Sequence, residues 1–582
     1  MFEQNENILR GIAAAPGLVI AEAYVYKKEV ETINSDPIDD INEAKENLKY
    51  ALEKSKKELN KVFSLAIDKL GKKRAAIFEA QIMILDDQIL IEHIYERIEK
   101  EKINPEFIVH DEISKYQELM NASSTEYMKE RSQDIEDIKN RIIKNLKRKK
   151  WKSRISKNVI VVTDSITPAD TILFSRENVR GYVTDFGGLT SHAAILARSL
   201  NIPAVLGLID ASSRIETGDI LIVDGYHGQI IINPTIDHLT YFKKRIDELK
   251  KHEEELEKIK DLPAVTKDGK HIKIKGNLDL TEELPFMIKN GAEGIGLVRT
   301  EQIFEEYEAF PDENEQVQVY SKIAEQMFPN EVTIRVLDIG GDKVLPVDLQ
   351  ESNPFLGWRG VRLLLDNPDL LKTQIRAILR SSSKKNLCIM VPMISSIFEI
   401  RKVKKIFEEC KIELEEEGKD FDRKIKFGIM IEVPSAAVMA KQFAAEVDFV
   451  SVGTNDLIQY LLAVDRSNDI VTKLYQEFHP AVIGTLKHII QKSKEAGAKV
   501  SICGEMGADL LAVPLLVGLG FDSISVSAPV IPTLKEIIRL INYSDAKDLA
   551  NECLNYLTEI EIKDRVKQFF ALNLKEFAEE WL

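Results

Sequence analysis

"KFGIMIEVPS", Lys426–Ser435, is an apolar run of strand length that stops at a carboxylate, Glu432, and a proline, Pro434. The same form recurs on both sides of it. "LCIMVPMI" (Leu387–Ile394) precedes it and "FVSVGTND" (Phe449–Asp456) follows it. Further out stand "HIKIKGNLDL" (His271–Leu280), "GIGLVRTE" (Gly294–Glu301), "TIRVLDIGGDK" (Thr333–Lys343), "KVSICGEM" (Lys499–Met506) and "DSISVSA" (Asp522–Ala528). Each run is followed by a polar cluster and then a helical stretch. Eight strands alternating with helices over about 300 residues, from Pro263 onward, are the sequence form of a (β/α)8 barrel. Catalytic groups in that architecture come from the C-terminal ends of the strands. The residues at those ends here are Arg299, Glu301, Asp338, Lys343, Glu432, Asn455, Asp456, Cys503 and Glu505.

Their types point to one kind of chemistry. Arg299, Arg335, Lys343, Arg359 and Arg466 are cations, and convergent guanidinium groups match phosphate and carboxylate bidentately. Glu432 and Asp456 are hard oxygen donors on adjacent strands, the donor type that Mg²⁺ prefers. Cys503 lies between apolar and acidic residues. Its default reading is an inert buried thiol; held protonated, it could instead hand a proton to a carbanion or enolate.

Ahead of the barrel lies "GGLTSHAAILARSLNIPAVLG", Gly187–Gly207. Thr190 and Ser191 are good cap residues, and "AAILARSL" favours helix. His192 is therefore expected in the first turn of a helix, where the dipole disfavours imidazolium and free N–H groups welcome a phosphate. A histidine that accepts a phosphoryl group needs both properties; packing at a helix start is the bland alternative. A substrate with phosphate and carboxylate, Mg²⁺, a histidine acceptor and an enolate to protonate together fit phosphoenolpyruvate.

The remaining text bounds the organisation. At 582 residues several domains are expected, and a net charge of −16 argues against general nucleic-acid binding. The four cysteines show no metal spacing and suit reduced thiols in the cytosol. The N-terminus "MFEQNENILR" is unlike a signal peptide, and no apolar run is long enough to span a membrane. From about Asp36 to Lys150 apolar residues recur at helical spacing with almost no Gly or Pro, and Gly71 and Pro105 are the obvious breaks. Within this block Ile82, Met83, Ile84 and Leu85 are either a buried turn or an apolar docking patch rimmed by Glu79, Asp86 and Asp87. Strand and turn text before and after the block reads as one α/β unit. "IDHLTYFKKRIDELKKHEEELEKIKDL" reads as a charged linker helix.

Ten motifs in order carry a resemblance over the whole chain: "GIAAAPG", "FEAQIMILDD", "GG.TSHAAILAR", "GAEGIGLVRTE", "RVLDIGGDK", "NPFLGWRGVR", "IMIEVPSAA", "SVGTNDLIQYLLAVDR", "FHPAV" and "SICGEMG". The chain resembles the Enzyme I family of the bacterial phosphoenolpyruvate-dependent sugar phosphotransferase system. The resemblance implies that His192 is phosphorylated, with Thr171 and Thr190 nearby. It implies that Arg299, Arg335, Lys343, Arg359, Asn455 and Arg466 bind substrate, that Glu432 and Asp456 hold Mg²⁺, and that Cys503 donates the proton. It also implies a cytoplasmic homodimer joined through the barrels, whose helical domain receives the histidine-containing phosphocarrier protein. The expected layout is a swivelling phosphohistidine α/β domain at 1–30 and 151–234, an inserted all-helical domain at 31–150, a linker helix at 235–262, and the barrel at 263–582. Departures from the family pattern stand at Gln81, Asp86, Lys139, Leu189 and Gln302. A nucleotide-dependent dikinase is the enzymatic rival, but no P-loop or similar phosphate cradle precedes the histidine segment. A regulatory phosphorelay is the other rival; its nitrogen-linked members carry an extra N-terminal sensory domain, whereas this text opens at "GIAAAPG".

Overall fold

The structure is a computed structural model. It describes residues 7–26, 33–70, 72–121, 126–148, 158–166, 179–188, 191, 194, 197–198, 202–301, 310–340, 351, 353–466, 468 and 470–574. Side chains are described throughout these except at 65–70, 72–77, 80, 116, 118–121, 126–134 and 253. The chain forms two compact units, Met1–Lys251 and His252–Leu582.

The first unit contains an eight-stranded sheet and a helical block. The strands are β1 (Ile8–Arg10), β2 (Ile12–Ala15), β3 (Leu18–Val25), β4 (Val159–Thr163), β5 (Gly181–Thr184), β6 (Ala204–Leu206), β7 (Ile220–Asp224) and β8 (Gln229–Ile232), in the order β1-β8-β7-β3-β4-β5-β6-β2. β3 to β6 run parallel, and the outer pairings are antiparallel. Strands on either side of the helical block thus share one sheet. Its central strand β4 is VIVVT, buried at every position, as a parallel strand covered on both faces should be.

The helical block comprises α1 (Ile41–Leu70), α2 (Lys72–Leu85), α3 (Gln88–Glu101), α4 (Pro105–Asn121) and α5 (Glu126–Leu146). Pro105 opens α4, where its missing N–H costs nothing. The break between α2 and α3 was not signalled by Gly or Pro. Asp87 makes it, its carboxylate accepting from the N–H groups of Ile89 and Leu90 at 2.9 and 3.2 Å. A charged helix, α6 (Ile236–Ile259), follows β8.

The second unit is a closed, all-parallel eight-stranded barrel. Its strands are β9 (Lys273–Leu278), β10 (Ile295–Val298), β11 (Val332–Arg335), β12 (Leu387–Val391), β13 (Lys426–Ile431), β14 (Phe449–Val452), β15 (Lys499–Ile502) and β16 (Ser523–Val526). These are the eight runs read from the sequence. Outward side chains such as Val298, Ile389 and Ile429 join the large core beneath the surrounding helices. Leu297, Met390 and Met430 alternate with them and pack with Cys503 in a separate apolar cluster, inside the barrel. Lys275 of β9 and Lys426 of β13 both pair with Glu331 at the start of β11, Lys275 at 3.1 Å, so the N-terminal end is tied together by charge.

Candidate active site

The C-terminal end of the barrel gathers the predicted residues. β11 ends in Arg335, and three residues on stands Asp338. Arg359 arrives on a loop that is stitched to this segment by an antiparallel bridge between Gly340 and Arg359. Asp338 accepts from Arg359 Nε at 3.1 Å and Nη2 at 2.8 Å, and its Oδ2 lies 3.2 Å from Arg335 Nη1. Arg335 Nη2 lies 3.2 Å from Glu301, whose other oxygen accepts the Asp338 N–H at 2.6 Å.

Glu432 is the residue after β13. The left-handed turn at Met393, with φ 57°, presents its N–H to Glu432 Oε1 at 2.6 Å. Asp456 sits in the first turn of the helix Thr454–Leu462 that follows β14, where the helix dipole favours a carboxylate. Its Oδ2 is 3.5 Å from Arg359 Nη2. Cys503 follows β15, 3 % exposed, with Sγ pointing 3.6 Å from the Val452 carbonyl.

Burial and neighbours set the protonation states. Burial, then the Asp456 and Asp338 charges, push the Glu432 carboxyl up to about 8. Burial also raises Glu301. Burial alone would raise Asp338 too, but Arg335 and Arg359 reverse it and hold that carboxylate below its ordinary range. Burial raises the Cys503 thiol, with Glu432 adding to the effect and Arg335 and Arg299 opposing it, so it is a thiol and not a thiolate at neutral pH.

Two carboxylates facing each other in a buried site need a compensating cation. Asp456 Oδ1 is buried and has no hydrogen-bond partner among the described residues. That oxygen, with Glu432 beside it, fits a hard divalent ion such as Mg²⁺.

Arg299 follows β10 and pairs with Asp279 at 3.0 Å. Asn455 and Glu505 form a reciprocal pair, Asn455 Nδ2 donating to Glu505 at 3.1 Å and Glu505 N–H to Asn455 Oδ1 at 2.7 Å. Arg466 is half-buried, its N–H donating to Gln459 at 3.2 Å. Lys343 lies outside the described residues, as do His192, Thr171, Thr190, Leu189 and Gln302. Beside His192, Ser191 Oγ accepts the Ala194 N–H at 3.3 Å and Ala194 is helical, as the capping reading requires. Gly187 has φ +128°, a conformation only glycine adopts cheaply.

Sequence reasoning passed over Asp279, Asn277 and Met393. Asp279 stands just past β9 and could have been found by the strand-end rule. Asn277 donates to the carbonyls of Cys503 and Ser525, at 3.0 and 3.2 Å, which fixes the cysteine's backbone. Met393 acts through its backbone and leaves no sequence signal.

In the helical block the four-residue apolar run divides. Leu85 is buried, Ile82 and Ile84 are half-buried against the core, and Met83 is 70 % exposed. Ile89 is also exposed, and Asp86 pairs with Lys56 at 2.6 Å. Gln81 and Lys139 are buried; Lys139 Nζ contacts Glu136, Gln117 and Ser114 at 2.8, 3.1 and 3.2 Å.

Three family profiles match the chain: "PEP-utilising enzyme, N-terminal" over 10–131, "PEP-utilising enzyme, mobile domain" over 155–228, and "PEP-utilising enzyme, PEP-binding domain" over 253–543. The phosphoenolpyruvate-protein phosphotransferase of Staphylococcus carnosus (strain TM300) is 39 % identical over 565 residues, 96 % of this chain and 99 % of the relative. The chain belongs to the phosphoenolpyruvate-protein phosphotransferase family. The Haemophilus influenzae member is 41 % identical over 576 residues, covering 97 % of this chain and all of the relative. A solution structure of an Enzyme I protein is 38 % identical and covers 42 % of this chain and 99 % of its own, with a TM-score of 0.38. As a family member the chain is a transferase enzyme, and its reaction is phosphoenolpyruvate-dependent phosphotransfer. This reading fits better than the dikinase and regulatory alternatives. Among the described residues no helix is long and apolar enough to cross a membrane.

Proposed function

We propose that phosphoenolpyruvate binds at the barrel mouth and gives its phosphoryl group to His192, which passes it to a histidine of the histidine-containing phosphocarrier protein. The observation that carries this reading is the convergence of Arg335, Arg359, Glu432, Asp456 and the buried Cys503 on one end of one barrel.

Arg299, Arg335, Lys343, Arg359, Asn455 and Arg466 bind the substrate phosphate and carboxylate. Glu432 and Asp456 would hold Mg²⁺, which when bound supplies neutralisation of charge on the phosphoryl and bridging oxygens. His192 attacks phosphorus with its neutral ring nitrogen; the N–P bond forms as the bridging P–O bond breaks. The electron pair leaves on the enolate oxygen, and the Cys503 thiol protonates the enolate carbon to give pyruvate. His192 then has to meet its second acceptor, so its domain swings as a rigid body; the segments near 28–36 and 145–155 that the sequence offers as hinges lie largely outside the described residues, and α6 is the described one. The carrier docks on the helical block, where exposed Met83 and Ile89 offer apolar contact. Buried Gln81 and Lys139 are placed to shape that block from within and not to touch a partner. A homodimer through the barrels, and residence in the cytoplasm, complete the proposal; the four buried free cysteines suit a reducing compartment.

The division of labour is testable by half-reaction. Glu432→Ala or Asp456→Ala should abolish phosphorylation of His192. Wild-type protein already phosphorylated and then stripped of metal by chelator should still phosphorylate the carrier. A Mg²⁺ requirement in that second step would mean both half-reactions share the barrel site, contrary to the proposal.

A further inference from the structure

Asp338 has no contact with the proposed reacting atoms, yet it touches two groups that do. Its side chain is 1 % exposed. One of its oxygens, Oδ2, receives both Arg335 of strand β11 and Arg359 of the loop, at 3.2 and 2.8 Å, and the other receives Arg359 Nε. Arg335 is fixed to the barrel wall through its strand. Arg359 arrives on a loop, and the second anchor of that loop is the Gly340–Arg359 bridge directly after Asp338. The packing leaves the carboxylate no room to move. Gly360 holds φ +57°, and a Cβ there would meet Asp338 Oδ1 at 2.9 Å and Met393 Cγ at 2.9 Å. Glu301 locks the backbone of Asp338 from the other side through its N–H.

We infer that Asp338 is a positioning residue that registers the Arg359 guanidinium against Arg335, so that the two forks stand at a fixed separation before substrate enters. Guanidinium groups are attached by long side chains, and holding them costs rotamer entropy that a fixed anion meets in advance of binding. Asp338 is the carboxylate the two guanidiniums share; Arg335 also meets Glu301 and Arg359 also meets Asp456, yet Arg335 Nε is buried with no hydrogen-bond partner among the described residues, so a donor remains for a second anion. The inference rests on the proposed function and deepens it, because it names what sets the arginine geometry. A merely structural Asp338 would lower stability and leave the chemistry of the folded protein alone. A positioning Asp338 separates the two kinetic constants. Removing its charge leaves Arg335 with Glu301 and Arg359 with Asp456, two guanidiniums less neutralised than before that still attract a multiply charged anion, while their aim at the phosphoryl group is lost.

The test is single-turnover phosphorylation of the full chain by labelled phosphoenolpyruvate with Mg²⁺. Asp338→Asn is expected to slow the saturated rate about 10²-fold, the scale of a 1 Å misplacement, with the half-saturating substrate concentration rising less than threefold. In an Arg359→Met background the same substitution should cost less than threefold, since the group it positions is gone. Should Asp338→Asn not fold, Asp338→Glu replaces it with the same expectation, because one added methylene shifts the anion within a packed site. An Asp338 variant as fast as wild type, or one whose cost is undiminished in the Arg359→Met background, overturns the inference. Wild-type protein that takes up no phosphate overturns the proposed function, and this inference with it; active wild type beside an equally active variant overturns this inference alone.

Discussion

Replacing Arg335 by Met should damage stability and catalysis by separable routes. Arg335 is 10 % exposed at its side chain and lies 3.2 Å from both Glu301 and Asp338. Burial disfavours its charge, but Glu301 and Asp338 more than offset that and raise its pKa. The methionine would deprive those two buried carboxylates of their shared cation, leaving Asp338 with Arg359 and the more distant Arg299. Removing one partner of a buried ion pair costs about 3–5 kcal/mol, because the remaining charge is left without compensation. For a unit the size of this barrel, about 2 °C of melting temperature per kcal/mol converts this to a loss of roughly 6–10 °C. Glu301→Gln in the same chain removes one stranded charge while its amide oxygen can still accept the Asp338 N–H. About half of the lost stability should return. Turnover should not, because removing one preorganised donor to a developing anion costs about 10²–10³-fold whatever the stability. Calorimetric melting of the barrel transition, read beside single-turnover phosphorylation, separates the two effects. A barrel transition within 1 °C of wild type in Arg335→Met would refute the charge-balance argument, at a scale well below the ~6 °C expected. Rescue of turnover by Glu301→Gln would refute the role of the guanidinium.

Two further outcomes follow from the geometry. Cys503→Ala should slow turnover by about 10²-fold or more while leaving phosphoenolpyruvate affinity nearly unchanged, since a proton donor acts in the chemical step; equal single-turnover rates would show the thiol to be packing only. Glu331 is held at about 2 in the folded barrel: burial works against this, and Lys275 and Lys426 outweigh it. A carboxylate depressed in this way contributes stability that is present above the unfolded value of 4.5 and is lost as pH falls through about 2. The difference corresponds to roughly 3 kcal/mol, which solvent access reduces to about 1–2. Glu331→Gln should therefore lower denaturant stability by about 1–2 kcal/mol at pH 7, and the gap should close toward pH 2–3. A gap that persists unchanged at low pH would show that the two lysines do not act through the Glu331 charge.

The barrel was legible because its strands are buried on both faces, so each reads as an unbroken apolar run ending in a polar cluster. "KFGIMIEVPS" is such a run, and Glu432 falls just past β13. The same rule placed Arg299, Asp456 and Cys503 at one mouth. Two kinds of feature escaped it. Backbone devices such as the Met393 turn carry no side-chain signature, because the donor is an N–H that every non-proline residue has. The Asp338 link to Arg359 joins a strand end to a loop 21 residues on, and its existence depends on how that loop folds back. In the helical block, Gly and Pro were sought as punctuation while the α2–α3 break is made by an aspartate cap at Asp87. The apolar run at Ile82–Leu85 could not be assigned a face from composition, since a helix rotates successive residues by about 100° and turned Met83 outward and Leu85 inward.

The central claim is that a histidine of this chain takes its phosphoryl group directly from phosphoenolpyruvate at the barrel. The most direct test is to incubate the full chain with ³²P-labelled phosphoenolpyruvate and Mg²⁺ in the absence of any nucleotide, and then to map the label. Acid-labile, base-stable phosphate on the peptide containing His192, absent from His192→Ala and released as the carrier is phosphorylated, is the predicted result. Label that requires a nucleotide, or that persists in a folded His192→Ala protein, would contradict it.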